Sequence, residues 1–169
     1  MDTSTTTLSP SQEKFLKKML SPSTFRLFTL MKVPMGFLAG MKLVKLDTKH
    51  AVTTIPFKRL NKNPFRSIYF AVQSMAAELS TASIALLAIQ GYKPSIATII
   101  VGLEAEFHKK ATDHTTFTCT DGANIFAAVN CCLETGEPAT VTAKTEGRMP
   151  DGTLVSTFYF TWSFKQRSK

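Results

Sequence analysis

The residue best placed to do chemistry in this chain is Glu78. It is the only charged side chain between Arg66 and Lys93, inside the stretch NPFRSIYFAVQSMAAELSTASIALLAIQ, residues 63–90. A carboxylate with no cation nearby in such apolar surroundings is costly, and must be paired, hydrogen-bonded or neutralised. Burial raises its pKa, which suits a base near neutral pH. The same residue also reads as a structural carboxylate held by Ser, Thr or backbone groups. Just upstream, Lys58, Arg59, Lys62 and Arg66 cluster in a polar loop that either meets an anion or is simply solvated. Asn63 lies between them, a residue type that caps helices or orients a ligand.

Other chemistries find little support. His50, His108 and His114 form no constellation, and His108-Lys109-Lys110 reads as a solvent-facing strand end. There is no Gly-x-Ser-x-Gly elbow, glycine-rich phosphate loop, His-Glu-x-x-His or Cys-x-x-Cys, so no metal site is expected. Three cysteines, Cys119, Cys131 and Cys132, fit neither a disulfide framework nor a zinc spacing. They read as free thiols in a reducing compartment, with one of the adjacent pair packed and the other facing outward.

The elements that must position Glu78 follow from periodicity. Residues 63–90 hold many Ala and few β-branched residues and are apolar nearly all round, which predicts one long buried helix. Gly91 ends it and Pro94 prevents its resuming. Before it, residues up to about Leu8 are polar and read as loose. Ser9-Pro10-Ser11-Gln12 is a capping-box start, and Ser21-Pro22 opens a second helix running to about Met31. These two helices form an N-terminal extension, 1–34. Their basic amphipathic pattern fits packing across the domain or against a partner subunit, and also a membrane surface. Strands are predicted over 41–46 and 51–57, with Asp47-Thr48-Lys49 as the turn. From Ser95 strict alternation places Ala97, Ile99, Val101, Leu103, Ala105 and Phe107 on one face of a long strand. A strand over 114–120, a short helix over 121–133 capped by Asp121 and closed by Gly136, and a hairpin of 139–146 with 154–165 complete the chain. Leu154, Phe158, Phe160, Trp162 and Phe164 share one face, which needs a cover.

The totals agree with one α+β domain over residues 1–169, an antiparallel sheet curled about one helix. The net charge is +8, but the lysines are spread out, so nucleic acid is not an expected partner. The start, MDTSTTTLSPSQEKF, has no secretory pattern. The most apolar window, 79–89, is too short to span a bilayer, so no stable membrane insertion is expected. A soluble cytoplasmic protein is predicted.

Strand order, lone helical carboxylate and helix approach together resemble the hotdog-fold thioesterase superfamily over about residues 25–164. The approach is similar to acyl-CoA thioesterases of the phenylacetate-degradation type, and more so to a related uncharacterised branch. Those enzymes read Asn-x-x-Gly-x-x-His with an acidic residue nine positions after the histidine. Here Asn63 is kept, Arg66 takes the glycine position, Tyr69 takes the histidine position, and Glu78 follows nine residues on. The resemblance implies a hotdog fold with extra N-terminal helices. It implies a homodimer or tetramer whose site lies at the subunit interface, and an acyl-CoA or other acyl thioester as substrate. No cofactor is implied beyond the coenzyme A of the substrate. Glu78 is then the general base or nucleophile, with Asn63 and Tyr69 beside it, Tyr69 donating a hydrogen bond where the histidine would stand. Backbone N–H groups near Ser67 to Tyr69 would hold the oxyanion. Arg66, Lys62 and Arg59 would meet coenzyme A phosphates, and Met75 would shape the acyl pocket. A hotdog protein that binds an acyl group or fatty acid without turnover is the alternative.

Overall fold

The structure, a computed structural model, describes residues 7–168. The loose start expected before Leu8 falls almost wholly outside them. Helix α1 (Pro10–Leu20) opens with the expected capping box: Ser9 Oγ accepts from the Gln12 N–H and Gln12 Oε1 accepts from the Ser9 N–H. Gln12 does more than cap. Its buried Nε2 donates to the Ala88 carbonyl at 3.2 Å, far along the chain, satisfying one of the acceptors a helix end leaves free. Helix α2 (Pro22–Lys32) follows, and Pro34 starts a third, α3 (Pro34–Ala39), beyond the two helices expected. Proline suits a first turn, because its missing N–H would be unpaired there anyway.

Strands β1 (Lys42–Leu46) and β2 (Ala51–Ile55) precede the central helix α4 (Phe70–Ala88). Then come β3 (Ile96–Phe107), β4 (Thr115–Cys119), α5 (Gly122–Thr135), β5 (Ala139–Arg148) and β6 (Leu154–Gln166). The six strands form one antiparallel sheet in the order β1-β2-β4-β5-β6-β3. Directly opposed residues share a face, so Thr53, Phe117, Gly147 and Ser156 make one inward row, and Ala51, Cys119, Thr145 and Phe158 the next. All eight are buried. Gly147 lets the Phe117 ring cross the row: a Cβ there would stand 2.5 Å from Phe117 Cε1. Helix α5 begins after Asp121 and ends at Gly136 in the left-handed conformation, as expected, but the Asp121 carboxylate accepts from the Lys144 N–H instead of capping the helix.

Two expectations need correction. First, β3 does not keep one alternation. A bulge falls between Ile100 and Gly102, and one extra residue swaps the faces beyond it. Ile100 opposes the inward Trp162, whereas after the bulge Leu103 opposes Phe160 and Ala105 opposes Phe158. Ile99 therefore points outward, while Leu103, Ala105 and Phe107 lie on the helix side. They stay uncovered at the sheet edge, Leu103 57% and Phe107 51% exposed.

Second, the central helix spans Phe70–Ala88 and not 63–90. Residues 63–69 are spent on a turn that delivers the chain to the helix. Gln73 locks that delivery: its Nε2 donates to the Ile68 carbonyl at 3.1 Å, and its Oε1 accepts from Ser156 Oγ at 2.9 Å, all buried. Gln73→Leu removes both partners and strands the Ser156 hydroxyl. A loss of about 2–4 kcal/mol is expected, read as a lower urea midpoint with an unchanged slope.

Candidate active site at the start of the central helix

The turn before α4 is built on Asn63. Its Oδ1 accepts from the Phe65 N–H at 3.0 Å, the Ser67 N–H at 3.1 Å and Ser67 Oγ at 3.2 Å. Its backbone also pairs with Ser67 and Arg66. Asn63 thus braces the turn and does not cap the helix. Arg66, at the position where the resemblance has glycine, sits at the tip with φ of 61°. That left-handed conformation suits glycine and strains other L-residues, which gives the glycine of the pattern a backbone reason. Asn61, not singled out from sequence, is buried: its Nδ2 donates to the Ala39 and Pro56 carbonyls at 2.9 and 2.7 Å, and its own carbonyl accepts the Tyr69 N–H at 2.7 Å.

These bonds move the expected oxyanion donors. The N–H of Ser67 goes to Asn63, that of Ile68 to the Ala111 carbonyl, and that of Tyr69 to Asn61. The groups near Ser67 to Tyr69 are therefore spent. Tyr69 is the N-cap and makes no side-chain cap bond. Among the described residues the Phe70 and Ala71 N–H groups have no acceptor, and they carry the positive end of the helix dipole. The sequence has no signal for this shift, because no Ser, Thr, Asp or Asn marks the true cap.

A cavity of about 550 Å³ opens at this helix start. Asn63, Ser67, Tyr69, Phe70 and Gln73 line one side, and Phe107 to Ala111 the other. The rings of Tyr69 and Phe70 meet edge to face at 4.8 Å, and Phe70 meets Phe107 at 6.4 Å. Apolar walls with Lys109 and Lys110 at the rim suit a chain ending in an anion. Sequence reasoning passed over these two lysines as part of a solvent-facing strand end. His108 is exposed, lines the cavity and lies 3.0 Å from Thr157 Oγ1. The cations expected to bind phosphate lie elsewhere. Lys62 Nζ sits over the Phe57 ring at 4.0 Å, Lys58 Nζ donates to the Leu38 carbonyl at 2.7 Å, and Arg59 and Arg66 are exposed away from the cavity.

Glu78 lies on the less buried face of α4, following Ala71, Ser74 and Met75 at helical spacing. Met75 is half-buried on that face and lines no part of the cavity. Among the described residues the Glu78 carboxylate has no hydrogen-bond or ion-pair partner, and burial alone pushes its pKa from 4.5 up to about 7. The structural alternative calls for partners, and none occurs among the described residues. Glu78 stands outside the cavity of its own chain. Seven or eight residues separate it from the free donors, about 10–12 Å along the axis. No group of His, Cys, Asp and Glu suited to a metal occurs among the described residues. Cys119 is inert, its thiol pushed up to about 11 by burial; Cys132 is buried and Cys131 exposed, as expected of the pair.

No family model and no curated protein matches the sequence. Solved structures do match. One is a Pseudomonas aeruginosa protein of unknown function described as a probable thioesterase, with 17% identity, TM-score 0.73, and coverage of 86% of this chain and 97% of that one. Another, from Chlorobaculum tepidum and of unknown function, has 12% identity, TM-score 0.71 and coverage of 88% and 99%. A thioesterase from Haemophilus influenzae has 13% identity, TM-score 0.60 and coverage of 83% and 88%. With the sheet order and central helix, these likenesses establish the hotdog fold.

Two outcomes follow. Between pH 4.5 and 7 the unfolded chain has released the Glu78 proton that the folded chain keeps, so stability falls as pH rises through that window and is flat above it. Glu78→Gln escapes the loss. It should be more stable than wild type by roughly 3 kcal/mol at pH 8 and nearly equal at pH 4.5, by urea denaturation. A carboxylate held by hidden partners would show the reverse at pH 8. Arg66→Gly should stabilise by about 0.5–1 kcal/mol, left-handed strain relieved against glycine's added chain entropy, raising Tm by a few degrees.

Proposed function

We propose that the protein hydrolyses acyl thioesters as a homodimer, with Glu78 of one subunit serving a carbonyl held at the α4 start of the other. The observation that carries this reading is Glu78 itself: a carboxyl with no partner among the described residues, poised near neutral pH on the open face of a buried helix. A carboxylate that costs stability and has no structural partner is accounted for by chemistry. The separation of Glu78 from the free donors within one chain is why a second subunit is invoked.

The uncovered edge supports the dimer. β3 is twelve residues long, its outer backbone is unpaired among the described residues, and Leu103 and Phe107 are half exposed on its helix side. Such an edge invites pairing, and a second β3 related by a two-fold axis would fill it. A tetramer of two such dimers is compatible.

In the proposed reaction the thioester carbonyl oxygen points at the Phe70 and Ala71 N–H groups. Glu78 takes a proton from water, whose oxygen adds to the carbonyl carbon. The negative charge on the former carbonyl oxygen is held by the two donors and the helix dipole. Collapse breaks the C–S bond, and the thiolate recovers the proton from Glu78. Acid and thiol leave. Attack by the carboxylate itself, through a mixed anhydride, gives the same products. Tyr69 flanks the carbonyl, Asn63 and Ser67 hold the turn, and Phe70 and Phe107 wall the acyl group. Lys109 and Lys110 meet the phosphates of coenzyme A; no other cofactor is needed. Free thiols suit the cytoplasm.

The test is thiol release from short, long and aromatic acyl-CoAs by wild type and Glu78→Gln. Turnover is expected whose kcat/KM rises with pH through an inflection near 7 and falls about 10²–10⁴-fold in the variant. Turnover surviving in the folded variant would move the site away from Glu78. Absence of turnover across the panel would leave the acyl-binding reading, in which ligands copurify.

A further inference from the structure

The N-terminal helices carry a charge pattern that the hydrolase reading does not use. From Lys14 to Leu46 there is no Asp or Glu, while seven lysines and arginines occur. The same segment exposes large apolar side chains. On α2, Leu27, Leu30 and Met31 recur at helical spacing and are bare, Met31 at 68%. On α3, Met35 at 63% and Leu38 are bare as well.

Apolar and basic groups share one region. The Arg26 guanidinium lies over the Phe37 ring at 5.2 Å and joins α2 to α3. Between α2, α3 and β1 lies a second cavity of about 560 Å³, where Arg26, Lys42 and Lys58 meet Leu38 and Val44. Neither Arg26 nor Lys42 has an acidic partner among the described residues.

An exposed apolar surface of this kind marks an interaction site, and its charge selects the occupant. A second copy docked face to face would set cations against cations, with Glu13 the one carboxylate on the three helices to answer them. An anionic bilayer answers both features: apolar side chains enter the headgroup boundary while lysines and arginines meet the lipid phosphates. β1 is the opposite edge of the sheet from β3, so the dimer proposed above leaves this region free.

We propose that the α1–α3 region docks the protein on an anionic membrane surface. Docking is peripheral and stands apart from the hydrolase reading, since it needs no turnover. It is tested by cosedimentation of the full chain with phosphatidylcholine vesicles, with and without about 30 mol % phosphatidylglycerol. Two double variants at exposed positions accompany the wild type, Lys32→Glu/Lys42→Glu and Met31→Ser/Met35→Ser, with thermal melts to show that each is folded.

Partition onto the anionic vesicles only, weakening as salt rises from about 0.05 to 0.5 M, is the expected result. The charge reversals should weaken it at least about 25-fold, about fivefold or 1 kcal/mol for each cation lost. The methionine changes should weaken it about tenfold. Absence of partition, equal partition onto neutral vesicles, or unaltered partition of both variants would overturn the proposal. So would a halved molar mass of Met31→Ser/Met35→Ser by light scattering, which would assign the face to a second copy.

Discussion

A helix with no polar face cannot rest on a sheet; it has to be surrounded. α4 is that helix: from Gln73 onward most of its residues are buried, the polar Gln73, Ser80, Thr81 and Ser83 among them. The sheet meets this demand by curling and by offering partners where the helix needs them. Trp162 Nε1 donates to Thr81 Oγ1 at 3.1 Å, Ser80 Oγ lies 2.8 Å from Thr145 Oγ1, and Thr53 Oγ1 donates to the Ala76 carbonyl at 2.6 Å. Nearly half of the helix side chains are Ala or Ser, which leaves room for Phe158, Phe160 and Trp162 of the sheet. The largest buried rings come from the sheet, and Ile84 and Leu87 of the helix fill between them, which is how a curved layer packs around a rod.

This division explains what was legible in the sequence. The all-round apolarity of α4, the aromatic row of β6 and the capping box at Ser9 are local patterns, and each marks an element of the expected type, with the start of α4 displaced to Phe70. The unreadable parts are those that depend on a distant partner. The β3 bulge follows from how β3 meets β6, so the run Ala97 to Phe107 reads as one unbroken alternation although its faces swap at Val101. The true start of α4 is set by Asn61, Ala111 and Ser156, none of them adjacent to Phe70. Asn63 and Arg66 were legible as a motif but not as a turn, because the motif names residue types and the turn depends on a left-handed φ.

The candidate site inherits these distant dependences. Its free donors exist because the preceding three N–H groups are consumed by Asn63, Ala111 and Asn61, which leaves the helix dipole unanswered at Phe70 and Ala71. Its cavity closes on the far side with Phe107 to Lys110, where β3 ends. The lysines that reach the cavity are therefore chosen by the length of β3 and not by nearness to the motif in sequence. For the same reason Lys62, only one residue from Asn63, is turned away onto Phe57.

The two ends of the sheet face different problems. β1 is flanked by α1 and α2, and the excess cations of the chain gather there. β3 has no such cover: its bulge turns Leu103 and Phe107 toward the helix side and leaves them half in water. Glu78 sits between these facts. A carboxyl on the only face of α4 that the sheet leaves open is desolvated enough to hold its proton near neutrality, yet it is not sealed. Covering that face with hydrocarbon from the same chain would bury the charge outright, at a cost of several kcal/mol. Leaving it fully to water would return the carboxyl to an ordinary acid. In the proposed dimer, an open face completed by a second copy would keep the group between those limits, where proton transfer at neutral pH is most efficient.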